Sequence, residues 1–208
     1  MKIYPMVVGP VQVNCYILSR EGRAVIVDPG DSAQKILNYL NTHRLTVEAI
    51  LLTHGHFDHI GAVNELAQVL KVPVYAHKKE QAYFDEPGLN LSTMIYQNLV
   101  LAKTLDIRYL ADGGCLDIIG TRCQIFHVPG HTLGSICFYF EKEGVVFTGD
   151  TLFSYSIGRT DFPKGSHDQL VAAIKDKLLV LPGDTVVYPG HNEATTISQQ
   201  IAGNPHLR

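Results

Sequence analysis

The chain has 208 residues, 46% of them hydrophobic and 18% charged, and a formal net charge of −3. That suffices for one globular domain, 1–208, with a substantial core, and it includes no Lys/Arg block of the kind that tracks nucleic acid. No apolar run approaches the roughly 18 residues needed to cross a bilayer. The opening "MKIYPMVVGPVQVN" is too short, and too broken by Pro5, Gly9 and Pro10, for the apolar region of a signal peptide. Cys15, Cys115, Cys123 and Cys137 form no CxxC pair, which suits free thiols in a reducing compartment. The expectation is a cytoplasmic protein with neither a nucleic-acid nor a membrane partner.

In chain order, 11–18 (VQVNCYIL) and 24–28 (AVIVD) are β-branched runs that predict strands. Ile36, Leu37 and Leu40 then predict a helix over 32–43. A strand over 49–53 runs straight into "THGHFDH", and Val63, Leu66, Ala67 and Leu70 predict a helix over 61–70. A strand at 72–76 follows. Segment 78–108 is the least regular, with three charges at its start, a Pro-Gly break and a helical patch at 93–103; it reads as a surface excursion near the site. Strands at 123–128, 135–140 and 144–148 come in a run. A helix over 166–180 opens on "SHDQ", a capping-box pattern with Ser166 as N-cap, and a strand closes the series at 185–189. Alternating and then consecutive strands define an α/β or α+β layered domain with a mixed sheet.

Five of these apolar runs end in a small or turn residue followed at once by His or Asp: "AVIVDPG", "AILLTHGHFDH", "QIFHVPGH", "VVFTGD" and "VVYPGH". Ligands of layered α/β proteins collect at the carboxyl ends of strands. Convergence of these ends would gather His54, His56, Asp58, His59, His131, Asp150 and His191. His54 and His56, two apart in extended chain, point to one side, whereas Asp58 and His59 fall at the turn into the next helix. A consistent allocation gives His54, His56 and His131 to one ion and Asp58, His59 and His191 to a second, with Asp150 between them. Seven N/O ligands without thiolate exceed a closed structural site and suit two divalent ions, Zn or else Fe or Mn, with positions left for water. Asp28 and Asp161 are candidates to orient ligand imidazoles. His43, His77, His167 and His206 read as surface or capping residues, and His127 as a hydrogen-bonded core or edge residue.

"THGHFDH", "PGHTLGS", "FTGDTLF" and "YPGHN" together resemble, in order and spacing, the ligand motifs of the metallo-β-lactamase-fold hydrolases, and the likeness spans nearly the whole chain. It implies a four-layer αββα sandwich with two mixed sheets and the metals at one edge. Within that group "GDTLF" followed by "SIGRTDFPKG" is similar to the type II glyoxalases, which hydrolyse hydroxyacyl-glutathione thioesters. The sequence ends 17 residues past His191, at Arg208, so their helical C-terminal domain is not expected. The resemblance implies a metal-dependent thioesterase acting on S-lactoylglutathione or a related small-molecule thioester. In it Asp58 and Asp150 orient the attacking water and take up its proton, and Arg159 meets a substrate oxyanion. An ion pair of Arg159 with Asp161 is the alternative for that side chain. "GRTDF" also resembles the persulfide dioxygenases, which hold one iron on residues matching His54, His131 and Asp150. Lactonases of the same fold share the full ligand set. A metal-binding module without catalysis is the remaining alternative.

Overall fold

The computed structural model describes residues 1–208 as two six-stranded sheets packed face to face, with helices on both outer faces. The first sheet is built from β1 (Lys2–Val8), β2 (Val13–Arg20), β3 (Arg23–Val27), β4 (Thr46–Leu51), β5 (Val74–His77) and β6 (Ile107–Leu110), side by side in that order. Its first three strands are antiparallel, and β3 to β6 run parallel. The parallel crossovers carry α1 (Ala33–Thr42), then α2 (Phe57–Ile60) and α3 (Val63–Leu70), then α4 (Gln81–Asp85). Such crossovers require a covering helix layer.

The second sheet comprises β7 (Cys115–Ile118), β8 (Thr121–His127), β9 (Ile136–Phe140), β10 (Val145–Gly149), β13 (Val186–Pro189) and β14 (Thr195–Thr196). Only the β10–β13 pair is parallel, and α5 (His167–Lys177) makes its crossover. A small hairpin of β11 (Leu152–Phe153) and β12 (Ser156–Ile157) precedes α5, and α6 (Ile197–Gly203) follows β14.

Three apolar layers follow from the alternation of side chains along the strands. Ile36 and Leu40 of α1 and Val63 and Leu66 of α3 pack on Ile17, Ile26 and Ile50 of the first sheet. Leu18, Val25 and Leu51 meet Phe138, Phe140 and Phe147 between the sheets. Leu170 and Ile174 of α5 and Ile197 of α6 cover Cys137, Val146 and Val187. The αββα sandwich with two mixed sheets is thus the observed fold.

All eight sequence-predicted strands and three helices fall on observed elements. The differences are local. Ser166 stands at the N-cap of α5, but its side chain makes no capping hydrogen bond; the reciprocal capping box belongs instead to Thr196 and Gln199 at α6. The patch at 93–103 is not a helix beyond a single 3-10 turn, Ser92–Ile95. Segment 78–108 is only partly a surface excursion, because Glu80, Tyr83 and Phe84 are fully buried. No helix is long and apolar enough to cross a membrane.

Candidate metal centre

Each of the seven residues singled out in the sequence lies just beyond the carboxyl end of a strand or in the turn that follows. β4 delivers His54 and His56, with Asp58 and His59 in α2; β8 delivers His131, β10 Asp150 and β13 His191. The two sheets are tied together here: Ile136 N donates to Thr53 O at 2.9 Å, Asn14 N to Gly190 O at 2.7 Å and the Tyr16 hydroxyl to Pro189 O at 2.6 Å. Gly190 is required, since a Cβ there would lie 2.2 Å from Asp150 Oδ1 and 2.7 Å from His59 Cε1.

The side chains form three overlapping groups: His54–His56–His131, Asp58–His59–His191 and His54–His59–Asp150. Within each, one ligand atom per residue lies within 4.8 Å of the others. Asp150 stands between the first two groups, with Oδ2 3.7 Å from His131 Nε2 and 3.7 Å from His191 Nε2, and Oδ1 3.3 Å from His59 Nε2. His191 Nε2 is 3.1 Å from Asp58 Oδ2.

The donor set fits divalent ions. His54, His56, His59 and His131 each bury an Nε2 with no hydrogen-bond partner, and Asp150 buries Oδ1 likewise. Five orphaned polar atoms gathered in these overlapping groups would be a heavy penalty in a core with nothing to coordinate. Burial pushes the His54, His56 and His131 imidazoles toward the neutral, ligating form, His56 to about 3. Burial acts the same way on His59, but the charges of Asp58, Asp150 and Asp28 outweigh it and hold its proton well above the ordinary range. Burial would also raise the Asp58 and Asp150 carboxyls; the opposing charge of His59 and its neighbours keeps both low.

The ring orientations are set from outside. Asp28 is buried at a left-handed φ of 49°. It accepts hydrogen bonds from Thr53 N at 2.8 Å, Thr53 Oγ1 at 2.6 Å and His59 Nδ1 at 2.9 Å. Because Thr53 Oγ1 donates to Asp28, it accepts from His54 Nδ1 at 3.1 Å. One carboxylate therefore fixes two imidazoles with Nε2 inward, the arrangement that orients metal-binding histidines. His131 Nδ1 donates to Arg159 O at 2.7 Å with the same result. The His56 ring is held edge-on between Tyr83 and Phe162.

Glu80 was not legible as part of this site. Its carboxylate, fully buried, accepts from Gly55 N at 2.6 Å, Gly134 N at 2.7 Å and Thr132 Oγ1 at 2.7 Å. It joins the loop carrying His54 and His56 to the loop carrying His131. A Cβ on Gly55 would lie 2.9 Å from Glu80 Oε2 and 2.6 Å from Tyr83 Cβ, so this approach needs glycine. Burial pushes the Glu80 carboxyl up to about 7, against the pull of Thr132 and the two amides. In sequence Glu80 closes a charged "KKE" triplet, and only the triplet's position after β5 turns it inward.

Arg159 reaches the rim, but its fork is engaged: Nε and Nη2 donate to Asp161 Oδ1 and Oδ2 at 2.9 and 2.7 Å. Asp161 thus meets Arg159 and no ligand imidazole. His127 Nε2 is hydrogen-bonded to Leu133 O, and its ring stacks on His77. All four cysteines are free, and only Cys115 is exposed.

This sheet pair with a histidine-rich edge defines a protein built around a metal centre. Residues 8–191 match the family model of the metallo-beta-lactamase superfamily, and the chain belongs to it. Hydroxyacylglutathione hydrolase GloC of Haemophilus influenzae is 35% identical over 208 residues, covering 100% of this chain and 98% of that one. The crystal structure of the BLEG-1 B3 metallo-beta-lactamase superposes with a TM-score of 0.95 at 42% identity, over 99% of both chains. That of TTHA1623 in a di-iron-bound form gives a TM-score of 0.86 at 38% identity, over 97% of this chain and 98% of the other.

Proposed function

We propose that the chain is a thioester hydrolase of the type II glyoxalase kind, acting on S-lactoylglutathione or a related hydroxyacyl thioester with two divalent ions. In this reading His54, His56 and His131 hold one ion, and Asp58, His59 and His191 hold the other. The observation that carries it is the position of Asp150, within 3.7 Å of an imidazole from each group. A carboxylate so placed would be within reach of both ions. The likeness to GloC supports the substrate type, and the di-iron form of TTHA1623 supports two ions and leaves iron beside zinc as their identity.

The ions, when bound, supply Lewis acidity that makes water a nucleophile at neutral pH. The chain's own residues do the rest. Asp58 and Asp150 turn the attacking water toward the acyl carbon and accept its proton. A C–O bond forms, the C–S bond breaks with its electron pair on sulfur, and carboxylate and thiol leave with one proton released. A thiolate leaves without strong acid assistance.

The test is release of free thiol from S-lactoylglutathione by the metal-loaded protein, with Asp58→Asn and Asp150→Asn as controls. Turnover abolished by either substitution is the expected result; turnover indifferent to both rejects the assignment. The likeness to BLEG-1 favours a second reading, opening of a β-lactam ring by the same water. A chromogenic cephalosporin hydrolysed faster than any thioester would put that reading first.

A further inference from the structure

A cavity of about 600 Å³ opens over His56, Asp58, His131, Asp150 and His191. Two apolar walls flank it. Leu91, Met94 and Ile95, from the segment after α4, form one; Phe153, Ile157 and Phe162, from the hairpin and the loop beyond it, form the other. Met94 is 65% exposed and stands uncovered at the mouth. Apolar side chains lining both sides of a reactive centre, with Met94 exposed among them, mark a binding surface rather than a packing remnant.

The charge distribution points the same way. Apart from the metal-centre residues, Arg159 is the only charged side chain lining the cavity. Its two forward donors are on Asp161, and its guanidinium carbon lies 4.2 Å from the centre of the Phe162 ring. The pair is neutral overall, and the cation–π contact braces the Phe162 ring, which lines the cavity. A peptide thiol with two carboxylates would meet one cation in the lining, Arg159, already paired with Asp161.

We propose that the substrate carries an apolar, uncharged acyl chain, seated between the 91–95 wall and the Phe153–Ile157–Phe162 wall, on a thiol that needs no carboxylate anchor. This rests on the thioester-hydrolase chemistry of that reading and replaces its hydroxyacyl-glutathione substrate with an apolar acyl thioester. Arg159 serves in it as a positioning residue for Phe162.

The experiment uses the metal-loaded protein and S-acyl-N-acetylcysteamines with straight acyl chains of two to eight carbons, beside S-lactoylglutathione. Burial of each added methylene should raise kcat/KM about fourfold, and the octanoyl ester should overtake S-lactoylglutathione. Met94→Ser, at an exposed position, should flatten that slope. A flat or falling chain-length series with S-lactoylglutathione preferred overturns the proposal. Binding of the matching S-alkyl thioethers, which cannot be hydrolysed, is measured by calorimetry in parallel. Affinity rising with chain length and flattened by Met94→Ser supports the apolar site even if no thioester turns over, in which case the thioesterase reading alone fails. Affinity independent of chain length removes the apolar site whatever the turnover.

Discussion

Glu80→Gln removes an ionisable carboxyl and one acceptor from beneath the metal centre while keeping the side chain's shape. Glu80 Oε1 serves Thr132 and Gly134, and Oε2 serves Gly55. The amide oxygen of Gln can keep the first pair, but its NH2 group then faces the Gly55 N–H, donor against donor. Losing a hydrogen bond to a charged acceptor and leaving a buried N–H unsatisfied costs about 3 kcal/mol. Gly55 sits between His54 and His56, so the cost appears as displacement of two imidazoles that must hold their geometry for an ion. An equilibrium shift of 3 kcal/mol corresponds to about 100-fold, at the upper end of the effect of removing groups that support metal ligands. Zinc affinity measured by competition with a chromophoric chelator should therefore weaken about 10- to 100-fold. Circular dichroism at low temperature reports whether the variant remains folded. A folded Glu80→Gln protein that binds zinc within twofold of the parent refutes the reasoning.

Asp28→Asn sets an NH2 group against either Thr53 N or His59 Nδ1 and disturbs the bonds that aim the His54 and His59 rings; one of two ions should be lost in native mass spectrometry, and two retained at unchanged affinity would contradict the orienting role. Zinc binding at pH 7 should release protons, because His59 holds its proton above the ordinary range among three carboxylates and must surrender it to ligate. Calorimetry in buffers of different ionisation enthalpy counts those protons, and a count of zero opposes the assignment of His59. As pH falls, protons compete better for His59 and His191, so loading should weaken toward acid; loading that strengthens there would contradict both. Stripping the ions should lower the melting temperature by roughly 8–16 °C, since a ligand at a thousand times its Kd stabilises by about 4 kcal/mol; an unchanged melting temperature means the centre is indifferent to metal.

The strand ends were legible because the chemistry is local: an apolar run, a turn residue and a His or Asp follow one another in the chain. The parts left unread depend on partners far away in sequence. β1 contains Pro5 and exposes most of its length, which suits an edge strand but hides it from alternation rules. β6 and β7 have four residues each and little burial, too short a pattern for periodicity to register. Ser166 has the capping-box sequence without the bond, whereas Thr196 forms one, so the motif alone does not decide the contact. Glu80 belongs to the site through two loops 25 and 54 residues away, a relation that no window of sequence contains. Asp28 was the reverse case. It was legible as a carboxylate that could orient a ligand imidazole, and it reaches His59 from a residue at positive φ.

Metal stoichiometry bears most directly on the two-ion thioesterase. Purified protein loaded with zinc or iron should hold two ions per chain by elemental analysis and release thiol from a hydroxyacyl thioester. Asp150→Ala should drop to one ion or fewer and lose that activity. One tightly held iron per chain, with oxygen consumed on glutathione persulfide and no thioester cleaved, would contradict it and assign the centre to single-iron oxygen chemistry.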